Sequence, residues 1–156
     1  MKVMFICTGN ICRSAMAEAI LKDKVSKDSK LKDKIQVFSA GTFAEDGEMS
    51  TEDAIEVMEE YGINLKEHRA TNVASSNIKE MDIILCATVS HKMMLIRMYP
   101  ELKDKIFTMK EYVQYDEKDL DIKDPWGYDI EVYRMCAAEI EKCIDLMISK
   151  WYNEIY

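Results

Sequence analysis

Apolar positions along this chain alternate between short unbroken runs and stretches with helical spacing. Val3-Met4-Phe5-Ile6 is the first run. It has no polar side to turn to water, so Lys2–Ile6 reads as a strand buried on both faces. From Ser14 to about Lys27 the pattern changes: Met16, Ala17, Ile20, Leu21 and Val25 recur at helical spacing. Lys27–Lys34 is a solvated turn whose charges alternate in sign, and Ile35–Ser39 is the second strand. Gly41–Met49 reads as a loop. Ser50 or Thr51 then caps a helix that runs to about Tyr61 and stops at Gly62. Ile78-Lys79-Glu80-Met81 leads into the third strand, Asp82–Ala87. Ser90–Tyr99 is a helix ended before Pro100, and Lys105–Thr108 is the fourth strand. Tyr112–Lys123 reads as a long polar loop. Asp129 to Tyr152 is the closing helix, with Cys136, Ile140 and Cys143 on one stripe. Apolar strands alternating with helices imply a three-layer α/β sandwich: a four-stranded parallel sheet with helices on both faces, forming a single domain over residues 1–156.

Composition narrows the class. At 48% hydrophobic residues the chain can build a core, and no apolar run approaches membrane-spanning length. A formal charge of −8 argues against a nucleic-acid binder; it serves solubility and could also favour basic phosphopeptides. The chain enters a strand at once, without the layout of a signal peptide. Its cysteines number five, an odd set that suits reduced thiols, so a cytoplasmic location is expected, with no membrane partner.

The chemistry concentrates where the first strand meets the first helix. Cys7-Thr8-Gly9-Asn10-Ile11-Cys12-Arg13-Ser14 places a cysteine and an arginine on either side of a five-residue turn. In a parallel sheet, ligands bind beyond the carboxyl ends of the strands, which is where Cys7 falls. Successive backbone N–H groups of such a turn can converge on an anion, and the helix N-terminus adds unpaired donors and a partial positive charge. Arg13 can grip two phosphate oxygens with its planar fork. The same field favours a thiolate at Cys7. Gly9 and Asn10 both suit the unusual backbone of a tight turn, and Ser14 can donate to the Cys7 sulfur. Taken alone, two cysteines five apart are also compatible with plain core packing. A phosphate loop after the first strand is the reading in which every local choice agrees.

Val3 to Ile20, VMFICTGNICRSAMAEAI, resembles the opening of the low-molecular-weight protein tyrosine phosphatases. The resemblance extends through Ser39-Ala40-Gly41-Thr42, His68-Arg69-Ala70 and Asp124-Pro125-Trp126-Gly127. Ala15 stands where the family usually has proline, a mild change at a first helical turn. The likeness implies that Cys7 is the nucleophile, Arg13 the phosphate clamp and Asp124 the general acid. Thr8, Gly9, Asn10, Ile11, Cys12, Ser14 and Trp126 would line the substrate site, with Ser39 and His68 bracing the loop. It implies a phosphorylated protein as substrate, no cofactor, and a monomer. His68 and His91 lack metal-ligand spacing with other donors, so no metal is expected. The likeness also suggests a reversible Cys7–Cys12 disulfide under oxidation; Cys12 simply packing beneath the loop is the plainer alternative. Asp116, Asp119 and Asp121 are less favoured candidates for the role because they lack the following proline and aromatic.

Ile11 presents an apolar side chain to the pocket and Trp126 can stack on a ring, so phosphotyrosine is the expected substrate. A bacterial branch of the same family acts on phosphoarginine. This chain resembles that branch in Lys105–Val113 and in Gly127, while the branch carries threonine in place of Ile11. A thiol-dependent arsenate reductase is a third reading, weakened because only Cys86 lies in the region that supplies its relay. A non-catalytic phosphate-binding module is the alternative outside enzymes; loss of Cys7, Arg13 or Asp124 would mark it, and all three are present.

Overall fold

The computed structural model describes residues 1–155. Four strands form one parallel sheet in the order β2-β1-β3-β4: β1 Lys2–Cys7, β2 Gln36–Gly41, β3 Ile83–Cys86 and β4 Ile106–Thr108. Five α-helices surround it: α1 Arg13–Ser26, α2 Glu52–Glu60, α3 Val89–Met98, α4 Met109–Val113 and α5 Ile130–Ile155.

The alternation of side chains along a strand divides β1 between two cores. Val3, Phe5 and Cys7 join a cluster with α1, α2 and α5, whereas Met4 and Ile6 join a cluster with Ile84, Cys86, Leu95 and Ile106. That division is why the run carries no polar residue, and it yields the expected three layers. Cys136, Ile140 and Cys143 all face the first cluster. Burial pushes the thiols of Cys136 and Cys143 up to about 12, which makes them inert packing residues.

Two segments are more ordered than their polarity predicts. The front of the expected loop over Tyr112–Lys123 belongs to α4. A capping box begins this helix, with Thr108 Oγ1 accepting from the Glu111 N–H at 3.0 Å and Glu111 Oε1 accepting from the Thr108 N–H at 2.8 Å. Tyr112 then packs on Phe107 and accepts a bond from Trp151 Nε1 at 2.8 Å. The charged turn after α1 buries Leu31 completely, anchoring a stretch whose periodicity suggests only solvation.

Helix α2 is capped by Thr51, whose hydroxyl accepts from the Ala54 N–H. The end of β2 touches the turn after β1 closely. A Cβ on Gly41 would lie 2.4 Å from Thr8 O and 2.9 Å from Asn10 N, so only glycine fits there. Among the described residues no helix is long and apolar enough to cross a membrane.

Candidate active site

The turn Thr8–Cys12 is built around Asn10. Its backbone is left-handed, at φ 56°, and its side chain is fully buried and satisfied. Asn10 Nδ2 donates to Ser14 Oγ and to Ser39 Oγ, both at 2.8 Å, while Oδ1 accepts from the Thr71 N–H at 2.9 Å. His68 Nε2 bonds Asn10 O at 2.8 Å. Glu18, on α1, accepts from Ser39 Oγ at 2.5 Å and pairs with Lys22. The edges of the turn are tied by backbone bonds from Thr42 to Cys7, Phe43 to Thr8 and Thr51 to Ile11.

This network aims a proton at Cys7. Asn10 Nδ2 can only donate, so Ser14 Oγ accepts from it and has its own proton free for Cys7 Sγ, 2.9 Å away. The Ser14 N–H approaches the same sulfur at 3.4 Å from the start of α1. Cys12 lies below the turn near Tyr133 and Thr51, and burial raises its thiol despite those hydrogen bonds, so the two loop cysteines sit in unlike environments.

Arg13 is buried and anchored by Nη1 to Ile122 O at 3.0 Å. Its Nε is buried with no partner. A desolvated donor left open beside a cysteine is what an incoming oxyanion would satisfy. Asp124 Oδ2 stands 3.6 Å from Arg13 Nη2, with the carboxylate side chain half exposed. Asp124 Oδ1 accepts from the Trp126 N–H at 3.1 Å, closing a turn over Pro125. Cys7, Thr8, Gly9, Ile11, Cys12, Arg13, Asp124 and Trp126 enclose a cavity of about 240 Å³. Larger open clefts run along Glu18, Lys22 and His68, but neither touches Cys7 or Arg13.

Every residue expected at the site is thus at the cavity or in the network beneath it. Glu18 and His91 are additions. Glu18 lies four residues after Ser14, which puts both on one face of α1, and that spacing was its signal. His91 follows the α3 cap Thr88 by three residues and bonds Thr8 Oγ1 from Nε2 at 2.8 Å. Among the described residues no group of three or more His, Cys, Asp or Glu is arranged to hold a metal ion.

Fold and site together define an α/β protein in which a cysteine and a buried arginine share one phosphate-sized loop, faced by a carboxylate. The sequence profile described as low molecular weight phosphotyrosine protein phosphatase matches residues 2–154, and the chain belongs to that family. It is 39% identical to a protein-arginine-phosphatase of Geobacillus stearothermophilus over 98% of this chain and 97% of the relative. It is 32% identical to the low molecular weight protein-tyrosine-phosphatase PtpB of Staphylococcus epidermidis over 93% and 95%. The crystal structure of a low molecular weight protein tyrosine phosphatase from T. tengcongensis superposes with a TM-score of 0.86 at 43% identity, covering 96% of this chain and 99% of that one.

Proposed function

We propose that this chain hydrolyses phosphotyrosine in proteins through a phosphocysteine. The observation that carries the reading is the cavity itself: a floor of Cys7 and Arg13 under walls that include Ile11 and the exposed ring of Trp126. An aryl group above the phosphate packs on those apolar walls and leaves no polar group unpaired. In the first step the Cys7 thiolate forms an S–P bond as the P–O bond to the tyrosine oxygen breaks. Asp124 gives its proton to that oxygen, and Arg13 with the loop N–H groups holds the equatorial oxygens. In the second step Asp124 takes a proton from water, the water oxygen bonds to phosphorus and the S–P bond breaks. Phosphate leaves and the thiolate returns. The enzyme acts as a cytoplasmic monomer.

Phosphoarginine is the second reading, favoured by the 39% identity to a protein-arginine-phosphatase. The deciding experiment is the ratio of kcat/KM on phosphotyrosine and phosphoarginine peptides for the wild type and Ile11→Thr, with Cys7→Ser as the inactive control. The wild type should favour phosphotyrosine and Ile11→Thr should shift the ratio toward phosphoarginine by roughly 5- to 150-fold, the worth of one buried unpaired donor. A wild type that prefers phosphoarginine overturns the reading.

A further inference from the structure

The segment joining β3 to α3 touches both halves of the site. His91, in the first turn of α3, is buried, and each ring nitrogen lies 2.8 Å from a threonine hydroxyl: Nε2 from Thr8 Oγ1 and Nδ1 from Thr88 Oγ1. The Val89 N–H donates to Asp121 Oδ1 and the Ile122 N–H to Ala87 O, both at 2.8 Å. One short stretch of chain therefore holds the phosphate loop at Thr8 and the acid-bearing segment at Asp121 and Ile122.

Proton counting selects the tautomer of His91. Thr88 Oγ1 already accepts from the His91 backbone N–H at 3.2 Å as the cap of α3. With its own proton turned to Nδ1, the hydroxyl both accepts and donates, and Nδ1 is then the bare nitrogen. The ring proton sits on Nε2 and is donated to Thr8 Oγ1. In the opposite tautomer the half-buried Thr88 hydroxyl would receive two donors and lose Nδ1 as the acceptor of its own proton. A doubly protonated ring is disfavoured as well: burial and the charge of Arg13 push His91 down to about 4, against the pull of Asp124 and Asp121. Thr8, exposed at the cavity, is left with one lone pair occupied and its proton free.

We propose that His91 is a positioning residue that turns the Thr8 hydroxyl proton into the cavity on the side of Asp124, where it donates to the departing oxygen as negative charge builds there. The assignment rests on the ester-phosphatase reading above, in which the departing atom is an ester oxygen with lone pairs open to such a bond.

Three variants separate this role from mere support of the loop. Asn at position 91 reaches only as far as Nδ1 and Gln as far as Nε2, so His91→Asn keeps the Thr88 contact and His91→Gln keeps the Thr8 contact. His91→Asn and Thr8→Val should each lower kcat on phenyl phosphate about tenfold, the scale of one hydrogen bond to a developing charge. The loss should shrink on aryl phosphates with better leaving groups, and inhibition by inorganic phosphate should stay within about twofold. His91→Gln should recover most of the rate, and His91→Asn/Thr8→Val should be no slower than either single variant. An equal loss across leaving groups accompanied by weaker phosphate inhibition, or additive single effects, would overturn the proposal. Nitrogen NMR of the full chain tests it without turnover. His91 should show protonated Nε2 and bare Nδ1, unchanged between about pH 5.5 and pH 8; protonated Nδ1, or titration in that range, overturns it. A wild type inert toward aryl phosphates but with the Nε2 tautomer would sink the substrate reading and leave His91 as the group that orients Thr8.

Discussion

The two sides of the cavity are held in opposite ways. The cysteine side is over-determined: Asn10 alone makes three side-chain hydrogen bonds, all within buried or half-buried surroundings, and Ser14, Ser39, Glu18 and His68 extend them. The acid side is sparsely tied. Asp124 has one turn hydrogen bond to Trp126 and a 3.6 Å approach to Arg13, with half of its carboxylate side chain in solvent. A nucleophile and its donors must be fixed before the substrate arrives, because an oxyanion site works only when its dipoles are already oriented. An acid that first donates and then accepts a proton serves better on a segment that can adjust between the two steps. On this contrast, damage to the cysteine side should appear as lost stability, and damage to the acid side as lost rate alone.

The largest test of that contrast is Asp124→Asn. Turnover of a poor leaving group should fall about 10²- to 10⁴-fold, with a smaller fall for good leaving groups. Denaturant unfolding should move by no more than about 0.5 kcal/mol, as for other surface changes. A large loss of stability would break the contrast. Asn10→Ala should do the reverse and cost about 3 kcal/mol in unfolding, since the Thr71 N–H loses its acceptor and Ser14 and Ser39 lose a donor inside the fold. An Asn10→Ala protein as stable as the wild type would show that the network is dispensable.

Acid should also weaken the fold through His91. Its ordinary value of 6.5 is pushed down to about 4 in the folded protein, chiefly by burial. The unfolded chain then binds the extra proton more readily than the folded one, so stability is full above pH 6.5 and is lost as pH falls toward 4. At about 1.4 kcal/mol per pH unit, the window of about 2.5 units is worth at most about 3.5 kcal/mol. Subtracting the same titration measured on His91→Gln should isolate it; identical curves would remove His91 from the account. The smallest effect belongs to Trp126→Ala, where KM for aryl substrates should rise about threefold to tenfold with kcat nearly unchanged, the scale of one aromatic contact.

The sheet and the phosphate loop were legible because their signals are local. An apolar run with no polar face, a glycine and an asparagine in a turn, and a helix at once afterwards each constrain the same few residues. Asp124 was singled out by the family likeness of Asp124-Pro125-Trp126, since Asp-Pro alone marks only a turn, and its carboxylate does lie at the cavity. His91 was not, because its partner Thr8 lies 83 positions away and only the crossover from β1 to β3 brings them together. Glu18 sat within reach of inference at helical spacing from Ser14, yet its role depends on Ser39 arriving from the neighbouring strand. The helix at Met109–Val113 was hidden by its polarity: its stability comes from the Thr108–Glu111 cap and from Tyr112 meeting Trp151, and periodicity reports neither.

The tight fit of Gly41 against Thr8 and Asn10 bears on how this catalyst could be reused. The stretch Cys7–Ser14 looks like a portable cassette, since it carries the proposed nucleophile, the proposed clamp and the turn backbone in one piece. Its shape is cast from outside, by the bare end of an adjacent strand pressed against the turn. Transplanted without that mould, the cassette would bring its reactive groups and lose their arrangement. The smallest graft that keeps the chemistry is therefore a pair of neighbouring strand ends, and a designer should begin from the residue without a side chain.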